Sequence, residues 1–466
     1  MTRAKHVFIY LLFAVLILCG KVFSQNKIIG TWNGELEIDN NKYKAVFHIK
    51  ESEDGSFYGT MDSPDQGAFG IKLDEVTFSN GELYLSHKNM RMTYKALIKD
   101  DGNTLEGTFS QNGMDIPLNL EKDVAETSEE KESQESEEPV PYKVEEVEIY
   151  NKDADIKLSG TFTIPANKEK PAVAVLITGS GPQNRDEEIF GHKPFAVLAD
   201  HLTRKGIAVL RYDDRGVGES EGNFGEAVPT DFASDVIAAV DYLKSREDID
   251  SKKIGLIGHS EGGIIAPMVA SKNKDIAYTV FMAGPGVNMP EVLVTQDSLI
   301  SLAFGKDKEI LAKALKKQRE ILNLVKEADV DKNRDQLKKM ISERFEIYGE
   351  PTDDDVVENE IAEYKKPWLR FYMNYDVQNV LSKVKCPVLA INGELDVQVY
   401  YKDNLQGIEK SLKKAGNNDF LVKSFPKLNH LFQTAETGSP VEYNRINETI
   451  SPIVLDEISN WINKRF

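Results

Sequence analysis

Three patterns of apolar and polar residues follow one another along the chain. Over residues 25–120 they alternate in short runs, as in Gly34-Glu35-Leu36-Glu37-Ile38, Ala45-Val46-Phe47-His48-Ile49 and Glu82-Leu83-Tyr84-Leu85. A period of two turns one strand face inward and the other to water. Asp54-Gly55, Asn80-Gly81 and Asp101-Gly102 punctuate the runs with hairpin signals. A small antiparallel barrel or sandwich is predicted. Its interior either holds an apolar ligand or is a filled core used for docking or substrate positioning. Residues 121–141 carry almost no apolar side chains, and 126–138 are nearly all Glu, Ser, Lys and Gln. Such a segment has nothing to bury and repels itself, so an extended, disordered linker is expected.

From residue 142 to 466 short apolar runs at 173–177, 207–210, 254–257, 278–282 and 388–391 alternate with helical stretches such as 195–204 and 232–244. Strands apolar on both faces are buried from both sides, which predicts an α/β class with an open, mostly parallel sheet. Residues 290–375 break the alternation with a long helical pattern, highly charged on one face. An insertion between Met282 and Val388 would lie over the C-terminal ends of the strands, as a cap.

The first 24 residues read differently. Arg3 and Lys5 precede an apolar run from Val7 to Cys19, and Val22-Phe23-Ser24 follows. The run is too short to cross a bilayer comfortably, and the layout is that of a signal peptide cleaved before Gln25. Export to the periplasm or medium is expected, with no stable membrane span after cleavage. A retained helical anchor is the alternative. A lipoprotein would need a small residue where Leu18 precedes Cys19.

Composition trims the function classes. The chain has two cysteines. Cys19 leaves with the signal peptide, so Cys386 has no partner for an intrachain disulfide. It leads into an apolar strand and reads as a buried, inert thiol. The formal net charge is −19, against the basic surface that nucleic-acid binding needs. There is no pair of histidines at helical spacing, no cysteine pair and no phosphate-binding loop, so neither metal nor cofactor is expected.

The chemistry concentrates after residue 254. The strand Ile254-Gly255-Leu256-Ile257 runs into Gly258-His259-Ser260-Glu261-Gly262-Gly263 and then a helix over 264–271. Strand, G-x-S-x-G turn and helix form an elbow that raises a serine hydroxyl above the sheet, and the glycines keep side chains out of the turn. Ser260 is the candidate nucleophile. It needs a base, and the base needs a carboxylate to orient it. In this arrangement acid and histidine follow the serine in order. Asp396, just past a buried strand, is the candidate acid, with Glu394 as runner-up. His430 is the only one of the seven histidines after Asp396. His259 sits beside the nucleophile and is expected to point elsewhere. Two backbone N–H groups should hold the oxyanion: that of Glu261, after the nucleophile, and that of Ser180, in the loop Gly179-Ser180-Gly181-Pro182. Trp368, Phe371, Tyr372 and Tyr375 share one helix face, either packing the helix onto the core or, for Trp368, Phe371 and Tyr372, walling a substrate pocket.

Several stretches together resemble one family. They are Thr178-Gly-Ser-Gly-Pro-Gln-Asn-Arg-Asp-Glu187, Asp213-Asp-Arg-Gly-Val-Gly-Glu-Ser220, the elbow itself, Gly393-Glu-Leu-Asp396 and Asn429-His430. Over residues 145–466 the chain resembles bacterial α/β-hydrolase serine esterases with an extended Gly-Ser-Gly-Pro oxyanion loop. Gly30-Thr31-Trp32 followed by Gly34 looks like the opening of lipocalin-like β-domains. The resemblance implies a carboxylesterase acting on small acyl chains, with a β-rich N-terminal domain and a helical cap. The family usually has histidine where this chain has Thr178, which bears on the oxyanion loop and not on the triad. Gly216, Gly218 and Gly222 echo a dinucleotide fingerprint but belong to the hydrolase pattern. Asp214 with Arg215, and Arg185 with Asp186, read as structural pairs bracing the site. The expected partner is a small-molecule ester. A peptidase with the same triad would need an anionic site in the cap, for which residues 353–363 offer carboxylates. An acyltransferase and a non-catalytic ligand-binding protein built around the β-domain complete the alternatives.

Overall fold

A computed structural model describes residues 28–38, 41–52, 55–63, 68–79, 81–88, 90–111, 114–122, 134, 139–303, 306–349 and 354–466. The expected signal peptide and most of the expected linker lie outside the described residues. The chain divides into two compact units, residues 1–131 and 132–466.

The first unit is one antiparallel sheet of nine strands: β1 (Gly30–Ile38), β2 (Asn41–Glu51), β3 (Phe57–Ser63), β4 (Ala68–Lys72), β5 (Glu75–Ser79), β6 (Glu82–His87), β7 (Met92–Ile98), β8 (Thr104–Gln111) and β9 (Met114–Lys122). Their order across the sheet is β4-β3-β2-β1-β9-β8-β7-β6-β5. Edge strands β4 and β5 are joined by Leu73 and Asp74 alone. Leu73 N–H donates to Gly59 O in β3, and Asp74 N–H to Ser86 O in β6. The sheet therefore curls so that its two edge strands come close to each other. Gly81 and Gly102 adopt φ of 83° and 71° at hairpin turns, the conformation that their Asn-Gly and Asp-Gly pairs supply. Trp32, Phe47, Leu83, Leu85, Tyr94, Leu105, Leu118 and Leu120 fill the interior and are fully buried. Trp32 Nε1 donates to Ile28 O and Tyr94 OH to Leu118 O, so the two polar handles are satisfied inside. The interior is thus a filled core.

The second unit is a sheet in the order β10-β11-β13-β12-β14-β15-β16-β17. Its strands are β10 (Tyr142–Asn151), β11 (Ile156–Pro165), β12 (Val173–Ile177), β13 (Ala208–Tyr212), β14 (Ile254–His259), β15 (Tyr278–Met282), β16 (Val388–Gly393) and β17 (Phe420–Phe425). β10 and β11 form an antiparallel hairpin, β11 pairs antiparallel with β13, and every later pairing is parallel. Along β12, Val173, Val175 and Ile177 pack on one side, and Ala174 and Leu176 on the other. Helices α2 (Pro229–Lys244), α3 (Gly262–Ala270) and α10 (Tyr401–Ala415) cover the first side. Helices α1 (Pro194–Arg204) and α11 (Pro452–Asn463) cover the second. The central strands β12, β14, β15 and β16 are buried along their whole length because both faces are covered.

Between β15 and β16 the chain leaves the sheet for α4 (Met289–Ala303), α5 (Lys308–Glu327), α6 (Arg334–Tyr348), α7 (Asp354–Lys365) and α8 (Pro367–Asn374), then returns through α9 (Val377–Leu381). The longest of them, α5, exposes charge on one face and buries the stripe Leu311, Ala314, Ile321, Leu322 and Val325. These helices are the cap. Asp307 caps α5 by accepting from the Glu309 and Ile310 N–H groups, and Gly349 ends α6 at φ 71°. Among the described residues no helix is long and apolar enough to cross a membrane.

Candidate active site

The elbow between β14 and α3 fixes Ser260. Its φ is 52°, a left-handed conformation that a residue with Cβ adopts only at a cost of about 1–3 kcal/mol. Its N–H donates to Met282 O at 2.8 Å, tying the turn to the end of β15. The glycines are steric necessities. A Cβ on Gly258 would lie 2.0 Å from Gly262 O, and one on Gly262 would lie 2.2 Å from Ile177 O. Gly179 lies against the serine, since a Cβ there would be 3.3 Å from Ser260 Cβ. Among the described residues neither the Ser180 nor the Glu261 N–H has a backbone hydrogen-bond acceptor.

The structure brings His430 and Asp396 together. His430 Nδ1 lies 2.8 Å from Asp396 Oδ2, and both residues are buried. The other carboxylate oxygen accepts from the Gln398 and Val399 N–H groups, each at 2.8 Å. With an acceptor at Nδ1, the imidazole keeps its proton there and leaves Nε2 as the base. Runner-up Glu394 faces elsewhere and accepts from Ser424 Oγ.

His259 points away from the serine hydroxyl, into a role that sequence reasoning missed. Its Nδ1 lies 3.0 Å from Glu187 Oε1 and its Nε2 lies 3.1 Å from His430 O. A carbonyl and a carboxylate only accept, so both ring nitrogens are placed to donate, the arrangement that suits an imidazolium. Burial pulls its pKa down, but the charge and hydrogen bond of Glu187 outweigh that and raise it. Glu187 Oε1 also accepts from Gly179 N–H at 2.6 Å. This one buried ion pair therefore joins the residue before Ser260, the oxyanion loop and the loop of His430. Glu187 was visible only as the last residue of the Gly-Ser-Gly-Pro stretch.

The side chain of Glu261 turns to the cap. Its Oε1 accepts from Trp368 Nε1 at 2.7 Å and from Tyr372 OH at 2.8 Å. Burial pushes its carboxyl up to about 7. Of the aromatic face on α8, Trp368 and Tyr372 thus hold the nucleophile elbow, while Phe371 stacks on Tyr375 with ring centroids 5.1 Å apart.

The expected bracing pairs are exchanged. Arg215 is paired with Asp235 at 2.7 Å, not with Asp214. Asp214 instead accepts from Thr178 Oγ1 at 2.8 Å and Gln183 N–H at 3.1 Å, which pins the oxyanion loop. Thr178 thereby has a use of its own where the family usually has histidine. Burial, with Glu261 and Glu187 nearby, pushes the Asp214 carboxyl up to about 8. Arg185 pairs with Asp213 at 2.8 Å, and Asp186 with Arg211 at 2.7 Å. Neighbours in sequence here pair across the fold and not with each other. The Cys386 thiol is pushed up to about 11 by burial, the state of an unreactive cysteine. Among the described residues no cluster of metal-ligating side chains is present.

An eight-stranded sheet with this strand order, a serine on a left-handed strand-to-helix elbow and a helical cap after β15 define an α/β-hydrolase. The family model described as serine aminopeptidase, S33, matches residues 193–436, more than half of the chain, and the chain belongs to that family. It is 30% identical over 312 residues to esterase EstD of Thermotoga maritima, covering 66% of each chain. Among solved structures it is similar to the Pyrococcus furiosus esterase Pf2001, with 18% identity, TM-score 0.41, and 69% of this chain and 91% of that one covered. Est1E of Butyrivibrio proteoclasticus is similar too, at 16% identity and TM-score 0.40, covering 68% of this chain and 98% of that one.

Proposed function

We propose that the chain is a serine hydrolase that cleaves carboxylic esters of small acyl chains through an acyl-enzyme on Ser260. The observation that carries this reading is the buried His430–Asp396 pair, with the His430 ring centre 4.9 Å from that of His259, the residue before a serine held at positive φ. The similarity to an esterase supports the ester as substrate. His430 Nε2 takes the Ser260 proton as Oγ attacks the ester carbonyl. The Ser180 and Glu261 N–H groups hold the resulting oxyanion. Collapse of the tetrahedral intermediate breaks the bond to the alcohol, whose oxygen receives the proton from His430. Water then repeats the sequence on the acyl-enzyme, releases the acid and restores Ser260. Asp396 keeps the imidazole in the required tautomer and balances its transient charge.

The family's description favours one second reading, a peptidase acting at a free amino terminus. Hydrolysis of short-chain esters against aminoacyl-anilides separates the two. A fluorophosphonate probe should label the protein and leave a Ser260→Ala variant unlabelled. Equal labelling of both, or of neither, would rule out the serine mechanism. The basic, apolar and small-residue succession of residues 1–24 supports export. Sequencing the mature amino terminus should return Gln25.

A further inference from the structure

Ser180 stands between Gly179 and Gly181, and Gly181 adopts φ 93°. Glycine backbone has little stiffness of its own, and Ser180 is exposed. Yet the loop lies against the nucleophile, since a Cβ on Gly179 would be 3.3 Å from Ser260 Cβ. A donor serves an oxyanion only within hydrogen-bond reach of the oxygen that gains charge. The loop must therefore be held from outside.

Asp214, in the loop after β13, does most of the holding. Its Oδ1 lies 2.8 Å from Thr178 Oγ1, at one end of the oxyanion loop. Its Oδ2 accepts from Gln183 N–H at 3.1 Å, at the other end. Its own N–H donates to Gln183 O at 3.1 Å. One buried residue thus grips both ends of the stretch 178–183. Glu187 Oε1 adds a third anchor at Gly179 N–H. None of these anchors uses the Ser180 N–H.

An ionised carboxylate here would oppose the reaction, because its charge repels the one that grows on the oxyanion. Burial pushes the Asp214 carboxyl up to about 8, so it carries a proton at neutral pH. The Thr178 hydroxyl can donate or accept, so its bond survives that protonation. A neutral acid holds the loop without repelling the oxyanion.

We propose that Asp214 and Thr178 are positioning residues for ester cleavage, clamping the loop that brings the Ser180 N–H to the oxyanion. The proposal rests on the ester-hydrolase reading above. Both residues act through the loop and not on the substrate.

Two readouts separate positioning from a merely structural role. One is how a loss divides between kcat and KM for 4-nitrophenyl acetate. The other is affinity for an alkyl trifluoromethyl ketone. Ser260 Oγ adds to that ketone, its proton passes to His430, and the carbonyl oxygen becomes an oxyanion in the same place. Thr178→Val keeps the volume and removes the hydroxyl. It should lower kcat by about tenfold to a hundredfold, leave KM within about twofold, and weaken ketone binding by the same factor as kcat. Thr178→Ser should bring both back to within about threefold of the unaltered protein. Asp214→Ala should show the same loss. Asp214→Asn should show the same recovery, since its amide offers the donor and the acceptor of a neutral acid. The Thr178 pair decides the matter where Asp214→Ala fails to fold. Unchanged kcat in Thr178→Val, or a loss of kcat with ketone affinity intact, would overturn the clamp. So would a Thr178→Ser variant as slow as Thr178→Val. An unaltered protein that neither cleaves the ester nor takes up the fluorophosphonate would instead overturn the ester-hydrolase reading.

Discussion

Glu187 Oε1 receives both the Gly179 N–H and the His259 ring. Replacing Glu187 by Ala leaves an imidazolium buried without its partner. Urea unfolding should show a loss of about 3–5 kcal/mol. Asp396→Asn should behave in the opposite way. It keeps the shape of the site but loses the tautomer, so kcat should fall by about 10⁴-fold with little change in melting temperature. A large stability loss in Asp396→Asn, or none in Glu187→Ala, would contradict this division of labour. The two residues also differ in how they announced themselves. Ser260, Asp396 and His430 stood out as candidates from local pattern and chain order, because the fold fixes where its loops emerge. Glu187 could not, since its partner His259 lies 72 residues away and only tertiary packing joins them. The same holds for the carboxylate of Glu261, whose donors are 107 and 111 residues distant.

Among the elements, the strands β12 and β15 stand where their apolar runs put them, because a strand buried on both faces has no exposed position to blur its ends. The hairpin β10–β11 was not legible in that way. Alternate residues of β10 are exposed, so it carries no apolar run, and it lies at the sheet edge. The cap's extent was legible from helical period, whereas its attachment to the elbow was not. The start of α3 is the least forgiving place in the fold. Gly262→Ala would drive a methyl group toward Ile177 O, forcing α3 away from β12. The expected cost is about 1–3 kcal/mol by chemical denaturation, with loss of fluorophosphonate labelling in the protein that remains folded. Unchanged stability and labelling would contradict the packing described for the elbow.

For the whole molecule, buried acids set a dependence on pH. Glu261 is raised from 4.5 to about 7 and Asp214 from 3.8 to about 8. Between the ordinary and the raised values the folded protein holds protons that the unfolded chain has released. By linkage, their contribution to stability is full at low pH and falls as pH rises through that window. His259 adds the same sign, since a raised imidazolium contributes below its unfolded pKa and loses that contribution as pH passes the folded value. The double variant Glu261→Gln, Asp214→Asn should therefore gain on the unaltered protein between pH 5 and pH 8, by a few kcal/mol at most in urea unfolding. A relative loss over that range would contradict the assignment. The separate cores of the two units carry a further expectation. Phe47→Ala should lower one calorimetric transition and leave the other in place, with about 3–5 kcal/mol lost from the first unit.

The contact between Glu261 and α8 bears on how such a chain can be altered. A cap looks like an interchangeable cassette, since it enters after one strand and leaves before the next. Here it is not. A transplanted cap without a tryptophan and a tyrosine at positions 368 and 372 would strand a carboxylate beside the nucleophile. A transplanted elbow without Glu261 would strand an indole N–H and a phenol in the cap. The three positions form one hydrogen-bonded unit that straddles the boundary, and recombination should succeed only where all three travel together.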